Sequence, residues 1–262
     1  MFLIACLVGM NALGGTEPDV PQPPHRVLYF VHSAGYYHEI IPFSAGKMME
    51  WAKRSGRYEV DVSKDCALIT AEFLQRYDAL VFYTNRELPM RPEQREAITD
   101  FVRAGKGFVA VHSGTGTFFE WTPYQDMINA IFDGHPWTQQ VAVNIEQSDH
   151  PIMQGVPKRF EVNDEIYQHT RWDRGTTHVL ASLDVTSVDL NAKEVNRKDK
   201  DFGIAWAHRY GKGRVYVNVL GHTKEVWENP VFERMMVQGI LWSLGELPLE
   251  LPPNAETGKA GK

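Results

Sequence analysis

The chain has 262 residues, with 33 acidic against 27 basic side chains for a formal net charge of −6, and 43% of it is hydrophobic. This excludes a disordered polar chain and leaves enough patterned sequence for one large α/β domain or two small ones. The acidic surplus argues against nucleic acid as the main partner and against a polybasic membrane anchor.

Residues 1–14 read as a signal segment: Phe2 to Leu13 is apolar, and Ala12 and Gly14 suit cleavage after Gly14. The first basic residue is Arg26, so the usual basic start of a signal is missing. Leu3-Ile4-Ala5-Cys6 resembles a lipoprotein box and makes lipidation at Cys6 a second, weaker alternative; a buried N-terminal strand or helix is a third. Residues 15–25 read as a linker, with four prolines between Glu17 and Pro24. The expectation is an exported protein, periplasmic or secreted, folded over 26–248 and ending in a disordered tail at 249–262. It has no membrane helix once mature. The two cysteines, Cys6 and Cys66, make no disulfide framework.

Arg26–His32 (RVLYFVH) predicts a buried strand, Ser44–Arg54 a helix stopped by Gly56, and Tyr58–Asp61 and Ala79–Tyr83 further strands. A helix is predicted from Pro92 to Gly105, with Glu93 and Glu96 in its first turn. Gly107–Val111 is a fourth strand, ending at His112. The second half predicts strands at Val141–Ile145, His178–Leu183, Phe202–Ala207 and Arg214–Leu220, then a helix from Asn229-Pro230 to Gly245. Asp184–Asp201 reads as a mobile polar loop. The alternation favours a mostly parallel sheet with helices on both faces.

In such sheets ligands bind beyond the carboxyl ends of the strands. His32, His112 and His222 stand at or just past three of those ends, and His38 follows His32 in a Gly/Tyr loop. His112 opens the turn Ser113-Gly114-Thr115-Gly116, which is neither a Walker A loop nor a dinucleotide fingerprint. Neither a nucleotide nor a flavin is therefore expected. Asp164-Glu165-Ile166-Tyr167 sets two carboxylates beside a phenol: either a general acid or base, a ligand, or a plain turn. His25, His178 and His208 read as structural or exposed, and His150 as part of a turn. His38, His112, His135 and His222, with Glu165, form a nitrogen- and oxygen-rich set suited to a divalent transition metal, Zn²⁺ or Mn²⁺. None of them has the tight spacing of an HExxH motif, so such a site depends on the fold. The aromatics Tyr36, Tyr37, Phe118, Phe119, Trp121, Trp137 and Tyr167 could stack on a sugar or simply pack.

In chain order, Val27–His38 (VLYFVHSAGYYH), Gly107–Gly114 (GFVAVHSG), Gly134-His135-Pro136, His150-Pro151-Ile152, Asp164–Tyr167 (DEIY), Ala205-Trp206, Tyr210–Val217 (YGKGRVYV), Gly221-His222 and Ile240-Leu241-Trp242 together resemble the ThuA-like (trehalose-utilisation) family. The resemblance covers Arg26 to about Gly245. It implies a flavodoxin-like, class I glutamine amidotransferase-like α/β fold and a role in disaccharide and 3-keto-glycoside metabolism. Amidotransferases carry Cys in a Gly-x-Cys-x-Gly elbow and a His–Glu pair after a late strand. Here His112 takes the thiol's place, and His222 with Glu225 takes the late-strand place, so glutamine hydrolysis is not expected. Ser113, one place out of register, is a weak replacement nucleophile.

The reading is therefore an exported protein acting on a glycoside or 3-keto-glycoside, by lyase, hydrolase or isomerase chemistry. Its expected catalytic residues are His112, Glu165 and His222. Tyr37, Ser113, Gly114 and Tyr167 are expected to contact substrate, and His38, His112, His135 and His222 to hold metal. The partner is a small-molecule carbohydrate, and a homo-oligomer is compatible with the sequence. The alternative is a non-catalytic carbohydrate-binding or interaction module.

Overall fold

Four apolar runs become a parallel set of strands whose carboxyl ends meet at one crevice. The structure, a computed structural model, describes residues 24–248. The expected signal segment (1–14), Cys6, all but the end of the 15–25 linker, and the 249–262 tail lie outside the described residues.

In chain order the elements are β1 (His25–Phe30), α1 (Ile41–Ser55), β2 (Tyr58–Ser63), α2 (Ala71–Leu74), β3 (Ala79–Phe82), α3 (Pro92–Arg103) and β4 (Gly107–Val111). There follow α4 (Thr122–Ile128), β5 (Ile131–Phe132), β6 (Trp137–Ile145), β7 (Arg159–Ile166), β8 (His169–Thr170), β9 (His178–Leu183), β10 (Gly203–Tyr210), β11 (Gly213–Asn218), α5 (Lys224–Glu228) and α6 (Pro230–Ser243). Nine strands form one mixed sheet in the order β2-β1-β3-β4-β11-β10-β9-β6-β7. The first five are mutually parallel, and β10, β9, β6 and β7 extend the sheet antiparallel.

β3 and β4 are buried along their whole length, as expected where helices cover both faces. Alternation along β11 shows those two faces: Gly213 lies against Val102 of α3, whereas the Tyr216 ring packs on Gly239 of α6. α3 also touches α2 and α4, while α6 touches α1 and α5, so each face has its own helical layer. α1 begins at Ile41, earlier than its apolar pattern suggests, because Pro42 is accommodated in the first turn; Gly56, at φ 65°, closes it. α6 is capped by the Asn229 side chain, which accepts from Val231 N–H at 2.8 Å.

β7 and α4 are elements the sequence reading did not place. The β7 segment RFEVNDEI alternates, but its polar end resembles a turn. The structure puts Asp164 and Glu165 at the end of that strand. β6 is longer than its apolar run: it pairs with β9 only through Val143–Ile145 but with β7 over Trp137–Asn144. The stretch 137–142 of β6 and its partner stretch 161–166 of β7 therefore continue beyond β9 as a two-stranded ribbon. Two-stranded ribbons twist strongly. This one arches back over the ends of β4 and β11. The Asp184–Asp201 segment carries one short 3-10 turn, Val185–Ser187. Among the described residues, no helix is long and apolar enough to cross a membrane.

Candidate functional site

β4 ends at a forced turn. His112 sits there at φ 47°, a left-handed conformation that costs energy for any residue with a Cβ. The turn is locked underneath: a Cβ on Gly114 would come within 2.6 Å of the Phe82 carbonyl, and Tyr124 O–H donates to the Gly114 carbonyl at 2.8 Å. Ser113 lines the cleft above, whereas Gly114 is part of its support.

The His112 tautomer follows from its partners. Nδ1 lies 2.9 Å from the Val219 carbonyl, which can only accept, so Nδ1 carries the proton. Nε2 therefore presents its lone pair, and the Tyr167 phenol donates to it at 2.9 Å. Burial, then the charges of Glu165 and Asp164, hold that phenol protonated.

The second part comes from the turn after β11. Gly221, at φ 133°, lies against His112, and its carbonyl accepts from Tyr83 O–H at 3.0 Å and Trp227 Nε1–H at 2.8 Å. Asp164, fully buried, accepts from the backbone N–H groups of Gly221 (2.7 Å), His222 (3.0 Å) and Thr223 (3.2 Å). Burial raises its pKa to about 6, against the His112 charge and these N–H groups. Asp164 is thus the clamp that ties the ribbon to the β11 turn. Glu165, the next residue, points the other way along the strand and meets the histidines.

Three donor atoms form a nearly equilateral triangle. His112 Nε2 to His222 Nδ1 is 3.3 Å, His112 Nε2 to Glu165 Oε2 is 3.5 Å, and His222 Nδ1 to Glu165 Oε2 is 3.4 Å. With bonds of 2.0–2.1 Å, a tetrahedral Zn²⁺ would separate its ligands by about 3.4 Å. His38 completes the group: one donor atom from each of His38, His112, Glu165 and His222 lies within 4.8 Å of every other. His38 is buried, and its Nδ1 has no hydrogen-bond partner.

The protonation states suit a cation. Burial, then His112 and His222, push the His38 pKa down to about 3. Burial and His112 also lower His222. Burial works against ionising Glu165, but His112, His222 and His135 outweigh it and hold its pKa down to about 2. Imidazoles disposed against protonation, His38 and His222, beside one ionised carboxylate can take up a divalent metal with little proton release. The His112 Nδ1–H to carbonyl bond is the outer-shell support such ligands have. The residues present therefore fit a metal.

His135, expected among the ligands, stands instead on the other carboxylate oxygen, its Nδ1 3.3 Å from Glu165 Oε1. There it orients Glu165. Glu225 bonds Asn163 at 3.4 Å, and the carboxylate beside His222 is Glu165. Tyr37 is 55% exposed and Tyr36 67%, and of the two it is Tyr36 that lines the cleft. The cleft measures about 380 Å³ and is also lined by Asn85, Arg86, Phe119, Phe132 and Tyr167. That volume is at the low end for small-molecule sites, roughly 300–1,000 Å³. Asn85, Arg86 and Phe132 were not anticipated, since neither Thr84-Asn85-Arg86 nor Ile131-Phe132 carries a recognisable motif.

The model of the family described as ThuA, trehalose utilisation, matches residues 26–243. No curated protein matches the chain. Among solved structures, a protein from Bacteroides uniformis described as ThuA-like superposes with a TM-score of 0.71 at 21% identity, over 87% of this chain and 95% of that one. One from Parabacteroides merdae, also described as ThuA-like, gives 0.68 at 18% identity, over 88% and 93%. A Thermoplasma acidophilum protein described as part of a GMP synthase gives 0.52 at 10% identity, over 85% and 95%. At these identities the likeness is one of fold, a glutamine amidotransferase-like α/β fold.

Proposed function

Since the chain belongs to the ThuA (trehalose utilisation) family, we propose that it is an enzyme acting on a glycoside or 3-keto-glycoside by metal-assisted His/carboxylate chemistry. Family membership supports a carbohydrate-related role in general. The observation that carries the finer reading is the donor triangle of His112, His222 and Glu165, with edges of 3.3–3.5 Å, at the wall of a sugar-sized cleft. A Zn²⁺ or Mn²⁺ ion held by His38, His112, Glu165 and His222 would supply Lewis-acid polarisation of a sugar carbonyl or hydroxyl.

The chain's own groups do the rest. Glu165, ionised and facing the cleft, would be the one carboxylate ligand of such an ion, its second oxygen held by His135. The Val219 carbonyl on Nδ1–H fixes His112, and His135 fixes Glu165; the Tyr167 O–H, which holds His112 Nε2, would release that lone pair to the ion. Phe119, Phe132 and Tyr36 offer ring faces to a pyranose and exclude water from part of the wall. Glutamine hydrolysis is not part of the proposal. The elbow holds His112, and Cys66 is buried in a 3-10 turn after β2, with burial pushing its thiol up to about 11.

The test combines elemental analysis of the protein after incubation with Zn²⁺ or Mn²⁺ with a mass-spectrometric screen of glycosides and their 3-keto derivatives. Near-stoichiometric metal and a product peak, both lost in folded His112→Ala, are expected. Saturable sugar binding with no product from any substrate would replace the enzyme by a binding module. We also propose export through the apolar stretch Phe2–Leu13; sequencing of the mature N-terminus should begin at Gly15.

A further inference from the structure

Most polar groups in the cleft wall are already engaged. The Asn85 amide builds the neighbouring loop: Nδ2–H donates to the Tyr36 carbonyl at 2.6 Å, and Oδ1 accepts from Gly35 N–H at 2.9 Å. The Tyr167 phenol is used by His112, and His135 by Glu165. His38, His222 and Glu165 belong to the donor cluster. Two groups are left. The Ser113 hydroxyl is buried without a partner, in a residue only 4% exposed. The Arg86 guanidinium, in a residue exposed to solvent at the mouth of the cleft, has neither a hydrogen bond nor a carboxylate in ion-pair reach among the described residues.

Arg86 is nevertheless held in place. Its backbone is at φ 62°, its N–H donates to the Gly116 carbonyl at 2.7 Å, and its own carbonyl accepts from Phe118 N–H at 3.1 Å. Its guanidinium lies over the Phe119 ring, 5.3 Å from the centroid. Its stem runs past Gly35, where a Cβ would come within 2.5 Å of Arg86 Cγ. Strained backbone of this kind persists where surroundings enforce it, and it clusters at ligand clamps.

An arginine fork offers only donors, and the Ser113 hydroxyl in the wall of the same cleft can add one more. Such a wall suits an acceptor-rich, negatively charged group, which the fork can bind through two parallel bonds. The Glu165 carboxylate is turned toward His112, His135 and His222.

We propose that Arg86, with Ser113, seats an oxyanion carried by the substrate, so that this cleft takes an acidic sugar bearing a carboxylate or a phosphate. The sugar part of this statement rests on the carbohydrate reading above; the oxyanion seat does not.

Ligand-observed NMR on the full chain, with glucose, glucuronate, glucose 6-phosphate and inorganic phosphate as probes, tests both. Glucuronate or glucose 6-phosphate should bind roughly tenfold more tightly than glucose, as expected for a hydrogen bond to a charged group; which of the two does so identifies the anion. Arg86→Gln should bring acid and neutral sugars level, and Arg86→Lys should keep part of the preference. Equal binding of all three sugars, or an equal loss for all three in Arg86→Gln, overturns the oxyanion seat and leaves the carbohydrate reading standing. Arg86-dependent binding of inorganic phosphate with no sugar bound confirms the seat and sinks the carbohydrate reading.

Discussion

The two halves of the sheet do different work. The parallel half (β2, β1, β3, β4, β11) is a covered core whose strand ends supply His112 and His222, with His38 in the loop after β1. The antiparallel half supplies one long ribbon, and with it Glu165, Tyr167 and the Asp164 clamp. β7 is five strands from β4 in the sheet order, about 24 Å in a flat sheet. Yet Glu165 Oε2 lies 3.5 Å from His112 Nε2. Three Asp164 bonds close that gap. The lesson is that a site can be shared between a rigid scaffold, which sets the imidazoles, and an arm, which brings the carboxylate.

Cutting the clamp should break this arrangement most severely. Asp164→Ala would leave three backbone N–H groups without their acceptor, and unfolding free energy should fall by roughly 3–4 kcal/mol. Urea titration measures it, and an unchanged midpoint would mean that other contacts hold the ribbon.

Acid should act next, and on both halves. Burial lowers His169, on β8 of the separate β5–β8 pair, to about 3 and His208, on β10, to about 4. Their contribution is complete above pH 6.5, where both states are neutral. It is lost as the pH falls toward 4 and 3, since the unfolded chain takes up protons that the folded one refuses. Asp164, raised to about 6, acts the other way between pH 6 and 4 and offsets part of the loss. With His38, likewise held at about 3, counted in, a net fall on the order of 5 kcal/mol from pH 7.5 to 4.5 is expected in urea midpoints. It should shrink in His208→Gln; an identical slope in that variant would place the acid sensitivity elsewhere.

Metal affinity sharpens the division between ligand and support. Competition with a chromophoric chelator should show a loss of roughly 100-fold or more for His112→Ala but about tenfold for His135→Ala, which removes only a carboxylate's orienting partner. Equal losses would make His135 a ligand. The smallest effect is assigned to Glu225→Gln: its side chain meets Asn163, so stability should stay within about 0.5 kcal/mol and turnover should be unchanged.

The parallel half was legible from sequence because its strands are continuous apolar runs bounded by turns, and its helices carry Pro starts and Gly stops. His112 could be placed because it follows β4 directly, whereas His32, expected at the end of β1, bonds the Lys64 carbonyl instead. β7 was not legible. Only its inward positions are apolar, and its functional end, Asn163-Asp164-Glu165, has the composition of a turn. Arg86 and Phe132 were equally hidden, because an arginine after a short strand looks like any solvated loop cation.

Sequence alone determined the α/β class and the place of His112 at a strand end, since hydrophobic period and turn chemistry are local properties. Only the tertiary structure decided which carboxylate serves the site. Asp164 and Glu165 are neighbours of similar chemistry, and strand alternation sends one into the backbone clamp and the other to the histidines. Only the arched ribbon decided that Glu165 rather than Glu225 stands beside His222, because that contact is made across 57 residues by long-range packing that no local pattern encodes.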